Sequence, residues 1–121
     1  EDAGGGGGGQ ADEAKVAARA AARLQAAIRA IGRVVVRVPS DQLSGQLPAL
    51  LPGLFKAFNN PSADVRKAVV FCLVDMYMTL GDALRPHLER LSTAQLKLVT
   101  IYITRTIKAK EKAAAAATAS G

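Results

Sequence analysis

The strongest hydrophobic signal in the chain lies between Val65 and Leu80, where apolar residues leave almost no polar stripe. At about 100° per residue, Val65, Val69, Met76 and Leu80 fall on one side of a helix, and Val70, Val74, Phe71 and Met78 on the other. A helix apolar on both sides must be covered on both, which predicts the innermost helix of a stack. Its start is marked twice. Ser62 is placed to cap, and Asp64 puts negative charge at the positive end of the helix dipole. Arg66 and Lys67 follow in the first turns, where positive charge is unfavourable by a few tenths of a kcal/mol. Folding alone gives little reason for that placement, which points to a partner.

The remaining pattern is helical throughout. From Ala11 to about Arg37, Leu24, Ile28, Ile31 and Val35 share one side, while Lys15, Arg19, Arg23, Arg29, Arg33 and Arg37 fall within an arc of about 120° on the other. Val38-Pro39 ends this helix, and Ser40-Asp41 opens a short one reaching about Gly45. Pro48 suits the first turn of a separate helix to about Phe58. Pro52 cannot donate to the carbonyl of Pro48, so that helix is expected to kink or restart there. Asn59-Asn60-Pro61 ends it, and the apolar helix follows from Ser62 to Leu80. Gly81 is placed as a C-cap, and a helical turn is expected from Ala83 to Leu88. Ser92-Thr93-Ala94-Gln95 then has the capping-box spacing for a last helix from Thr93 past Lys108. On it Lys97, Thr104, Arg105, Lys108 and Lys112 share one side, and Val99, Tyr102, Ile103 and Thr106 another.

A turn, a basic helix start and two-sided burial describe the second helix of a HEAT-type antiparallel pair. The expected fold class is all-α: a fragment of a HEAT-repeat α-solenoid built from antiparallel helix pairs. The stretch from Leu24 to Arg37 would be the second helix of a preceding repeat. Composition divides the chain into a disordered Gly-rich segment over 1–14, a helical domain over 15–108 and an Ala-rich low-complexity tail over 109–121.

The extended pattern resembles a known family. Leu51-Pro52-Gly53-Leu54, Phe58-Asn59-Asn60, Val65-Arg66-Lys67, Val70-Phe71-Cys72-Leu73-Val74, Gly81-Asp82-Ala83-Leu84-Arg85-Pro86-His87-Leu88, Leu96-Lys97-Leu98 and Ile101-Tyr102-Ile103-Thr104-Arg105 together resemble the C-terminal domain of the CLASP family (cytoplasmic linker-associated proteins). The resemblance runs from about Ala26 to Arg105 and is most specific over Val65 to Val74. It implies a TOG-like HEAT domain from a microtubule-stabilising protein of the cytoplasm, on the microtubule cytoskeleton and the spindle. It also implies that the edge formed by the turns within each helix pair meets tubulin. That assigns Asn59, Asn60, Ser62, Arg66, Lys67 and Lys97 to a partner-binding edge. The family's C-terminal domains are equally associated with adaptor recruitment, through plus-end linker proteins, kinetochore components and cortical or Golgi anchors. The residues leave tubulin contact and adaptor docking both open, and a generic HEAT scaffold unrelated to microtubules is the alternative.

Composition narrows the remaining classes. With 121 residues the chain holds one domain at most, and 4% aromatic content without tryptophan suits aliphatic helix packing. A net charge of +6 favours acidic partners. Lys15, Arg19, Arg23, Arg29, Arg33 and Arg37 form a basic stripe that could attract them. Nucleic acid ranks last, because no aromatic residues interleave with the stripe to stack bases. No apolar run reaches the roughly 18–20 residues of a membrane span. The acidic, glycine-rich start without a methionine does not read as a signal peptide, and an excised or fragmentary segment is expected. The single Cys72 cannot form an internal disulfide and is expected in the core. His87 is the only histidine, so the usual four-ligand zinc set is missing. Asp41, Asp64, Asp75 and Asp82 suggest no acid–base pair. No enzyme activity, cofactor, metal or small-molecule substrate is expected.

Overall fold

The computed structural model describes the backbone of residues 2–120 and the side-chain surroundings of residues 12–117. Glu1 and Gly121, the outer ends of the two terminal segments expected above, lie outside the described residues. The order is α1 (Asp2–Val35), α2 (Ser40–Ala57), α3 (Ala63–Leu80), a 3-10 helix η1 (Gly81–Arg90) and α4 (Thr93–Ser120), with no strand among the described residues.

α3 is the hub on which every other element packs. Val65, Val69, Leu73 and Met76 are completely buried, and Ala68, Val70, Cys72 and Val74 are buried as well. Both sides are therefore covered, as the pattern requires. Phe71 departs from that expectation: it is 44% exposed. Its strip of the helix, shared with Asp64 and Lys67, lies where the neighbouring helices do not close over α3. The Val65 N–H donates to Ser62 Oγ at 3.4 Å, confirming the N-cap. Gly81 ends α3 with φ of +67° and ψ of −144°, a conformation used almost only by glycine and costing other residues about 1–3 kcal/mol.

α2 corrects the proline argument. The two helices expected around a break before Pro48 are one continuous helix that contains both Pro48 and Pro52. Ser40 begins the helix, the N-cap is Pro39, and no side-chain cap bond forms. Leu43, Leu47, Leu51 and Leu54 make one buried stripe, whereas both prolines face outward one turn apart. The residues whose carbonyls lose a donor, Ser44 and Pro48, are themselves exposed, so water can reach them and the leucine packing outweighs the missing bonds.

Side-chain neighbours show how the helices are layered. Along α1, Gln25 lies near Asp64, and Gly32 near Cys72 and Asp75, so α1 and α3 run parallel. Gln95 meets Asn59, and Tyr102 meets Phe71, so α4 is parallel to α3 as well. α2 and η1 form the second layer, touching where Leu47 to Phe55 faces Pro86 to Arg90. This two-layered arrangement, with α1, α3 and α4 in one layer and α2 and η1 in the other, is that of an α-solenoid.

Both long helices project beyond the core. Residues 12–20 of α1 and 108–117 of α4 are exposed all round. α1 also carries helix through the glycine tract, where a disordered segment over 1–14 was expected. Glycine offers no steric obstacle to helical geometry, although each costs about 1 kcal/mol relative to alanine. This stretch is an extension of a helix anchored from Ala21 onward.

Candidate partner-binding surfaces

The turn edge is built from the residues that sequence reasoning singled out. Asn60 Oδ1 accepts from the Ser62 N–H at 2.9 Å, and Asn59 Nδ2 donates to the Phe55 carbonyl at 3.2 Å. The Ser92–Gln95 capping box is reciprocal. The Ser92 N–H donates to Gln95 Oε1 and the Gln95 N–H to Ser92 Oγ, each at 3.1 Å. Gln95 Nε2 then donates to Asn59 Oδ1 at 3.1 Å, so the two turns stand side by side. Lys67 and Lys97 lie exposed behind them.

Arg66 needs a different explanation from the one its position suggested. Its Nη1 donates to the carbonyls of Asn60 and Pro61 at 2.7 and 2.8 Å, holding the turn closed. Two charge-assisted bonds outweigh a few tenths of a kcal/mol of dipole repulsion. Folding therefore has its own use for Arg66, and Asn59, Asn60 and Ser62 likewise spend side-chain groups on the turn. Lys67 is placed otherwise: its Nζ sits 5.7 Å over the Phe71 ring.

All six stripe residues are exposed on the side of α1 away from its buried Ile28 and Val35. The stripe is not one environment. Lys15 and Arg19 belong to the projecting half of α1, Arg29 and Arg33 border α3, and Arg37 lies in the turn beyond Val35. Sequence reasoning missed an aromatic feature beside it. Phe71 meets Tyr102 edge-on at 5.5 Å, and Arg105 lies 5.6 Å over the Tyr102 ring. The spacings Lys67–Phe71 and Tyr102–Arg105, four and three residues apart, were the available signal.

Below this surface, burial pushes the Cys72 thiol up to about 12, with the Asp75 carboxylate adding to the effect. Burial also raises the Asp75 carboxyl above its ordinary 3.8, while Lys110 partly opposes the shift. Such a group binds its proton more tightly in the folded state. Its stabilising contribution is complete below 3.8 and is lost as pH rises through the folded value. Asp75→Asn should therefore raise the melting temperature near pH 7 and lose that advantage near pH 3. An equal gap at both pH values would show that ionised Asp75 is no burden on the fold. Among the described residues there is no cluster of metal-ligating side chains, and no helix long and apolar enough to cross a membrane.

Known proteins match part of this sequence. The HEAT-like repeat family matches residues 17–74, which includes α2, most of α3 and the anchored part of α1. The chain is 55% identical over 60 residues to a CLIP-associated protein of Arabidopsis thaliana, covering 50% of this chain and 4% of that protein. It is 42% identical over 52 residues to CLIP-associating protein 1-B of Xenopus laevis, covering 43% of this chain and 4% of the relative. Protein CLASP-2 of Caenorhabditis elegans is 43% identical over 53 residues, covering 43% of this chain and 5% of the relative. About half of the chain is thus similar to CLASP proteins. It matches only about one twentieth of the length of these relatives. The HEAT-like match ends at Val74, so η1 and α4 lie beyond it.

Proposed function

We propose that this chain is a non-catalytic binding module of a microtubule-associated CLASP protein, acting at the microtubule cytoskeleton through tubulin contact or adaptor docking. The observation that carries this reading is the alignment of two helix-pair turns by the Gln95–Asn59 bond, with Lys67 and Lys97 exposed behind them. The relatives are named for association with CLIP, which favours a protein partner. A generic HEAT scaffold would give no reason for 55% identity to one of them.

Microtubule co-sedimentation and capture of a CLIP protein test the proposal together. The basic stripe attracts acidic surfaces without a close fit, and such contacts fade as the screening length falls from about 10 Å at 0.1 M salt to about 3 Å at 1 M. Microtubule binding should therefore be weak and salt-sensitive, while CLIP binding should persist. Lys67→Glu with Lys97→Glu should weaken capture and leave helical content unchanged, since surface substitutions usually move stability by less than about 0.5 kcal/mol. Arg66 is left intact because it holds the turn. Salt-resistant microtubule binding that ignores the double substitution, with no CLIP captured, would reject adaptor docking through this edge.

A further inference from the structure

We propose that the groove between α1 and α3 is a docking site for a short, extended acidic segment of a partner protein. Arg29, Arg33 and Lys67 would hold its carboxylates, and Phe71 would take one apolar side chain. The site lies on the layer of parallel helices, shares only Lys67 with the turn edge, and does not depend on whether the partner is tubulin or CLIP.

The groove is continuous. One hollow of about 350 Å³ and another of about 260 Å³ share Arg29, Ala68 and Phe71. Small residues make the floor: Ala68 is buried, and at Gly32 the helices approach so closely that a Cβ would meet Asp75 Oδ2 at 2.9 Å. The groove reaches from Gln25 to Val36, which is about 17 Å of helix at about 1.5 Å per residue. About five extended residues, each rising about 3.3 Å, span that length.

Its chemistry selects the occupant. Among the described residues Arg29, Arg33 and Lys67 make no ion pair, whereas Arg85 pairs with Asp82 on η1. No direct ion pair within the fold therefore takes up their charge. Phe71 and Val36 add apolar surface, 44% and 55% exposed respectively. Lys67 over the Phe71 face and Arg105 over Tyr102 continue a cationic–aromatic wall on to α4. Asp64 and Asp75 also line the groove, and they distinguish two kinds of polyanion. A nucleic-acid strand would bring phosphates against both carboxylates. A peptide offers them its backbone N–H groups while its own carboxylates go to the arginines.

Fluorescence anisotropy with the whole chain and a dye-labelled Glu-Glu-Leu-Glu-Glu peptide tests the site. Arg29→Glu with Arg33→Glu should weaken binding about tenfold or more. Lys56→Glu with Arg90→Glu makes the same charge change on the α2–η1 layer and should cost less than about threefold. Replacing the central Leu of the peptide by Ser should weaken binding to the parent but not to Phe71→Ala. Circular dichroism checks that each variant keeps its helices. Equal losses in the two charge-reversal variants, or indifference of the parent to the central Leu, would overturn the proposal. So would a single-stranded oligonucleotide that competes and shows the same dependence on Arg29 and Arg33, or no peptide binding at all.

Discussion

Val69→Asp should leave the chain without a cooperative fold. Val69 has no exposed surface, and it sits on the helix against which every other element packs. No cation lines its surroundings in the core, which consists of residues such as Val65, Leu73, Met76 and Leu84. A carboxylate there is either ionised and unpaired or protonated at a cost, and the penalty is several kcal/mol. A domain of this size has only about 5–15 kcal/mol of total stability. Phe71→Asp is the informative comparison, because it places the same group two positions further along the same helix. Phe71 is 44% exposed and gives up its ring contact with Tyr102 and the Lys67 ammonium over its face, so about 1–2 kcal/mol is expected. Thermal unfolding followed by circular dichroism separates the two. An unchanged transition in Val69→Asp would mean that the faces of α3 are assigned wrongly.

What the sequence made legible depended on how many local signals agreed. At Ser62 a capping side chain, an acidic first turn and an apolar run all pointed to one helix, and α3 starts and stops where they indicate. The same agreement held at Ser92 and Gln95, whose capping box forms as its spacing suggests. At Pro48 and Pro52 the signals conflicted. The local rule for proline argued for a break, whereas Leu43, Leu47, Leu51 and Leu54 already spelled a single buried stripe. Tertiary packing decided in favour of the stripe. The two-sided pattern of α3 was right about burial but could not show where its neighbours stop, and so it hid the exposure of Phe71. Arg66 illustrates the same limit. Its bonds reach back five and six residues to the carbonyls of Pro61 and Asn60, which only a folded turn brings within range. The groove was divided between distant stretches of sequence: Arg29 and Arg33 were legible as part of a stripe, but their neighbour Phe71 was not.

Gly32→Leu should separate α1 from α3, at a cost of about 3 kcal/mol, whereas Gly32→Ala should be close to neutral. A Cβ at this position would lie 2.9 Å from Asp75 Oδ2 and 3.9 Å from Cys72 Cα. For alanine only the first distance is too short, and the atom concerned ends a half-buried side chain that can turn aside. The gain of about 1 kcal/mol in helix propensity offsets that movement. Leucine adds three further carbons, which must enter the space between α1 and the backbone of α3. Overpacking of that kind costs about 1–3 kcal/mol and, at a helix–helix contact, is relieved only by moving the helices apart. α1 is then drawn away from the contacts that bury Ile28, Val35 and Cys72. A urea midpoint reports the loss of stability, and the thiol reports its cause. Cys72 is 2% exposed, and its thiol is pushed up to about 12, so in the parent it should not react with a disulfide reagent. In the leucine variant it should react under native conditions, while the alanine variant should stay protected. A leucine variant with the parent's midpoint and an inert Cys72 would show that the two helices do not meet at Gly32, and the floor of the proposed groove would have to be redrawn.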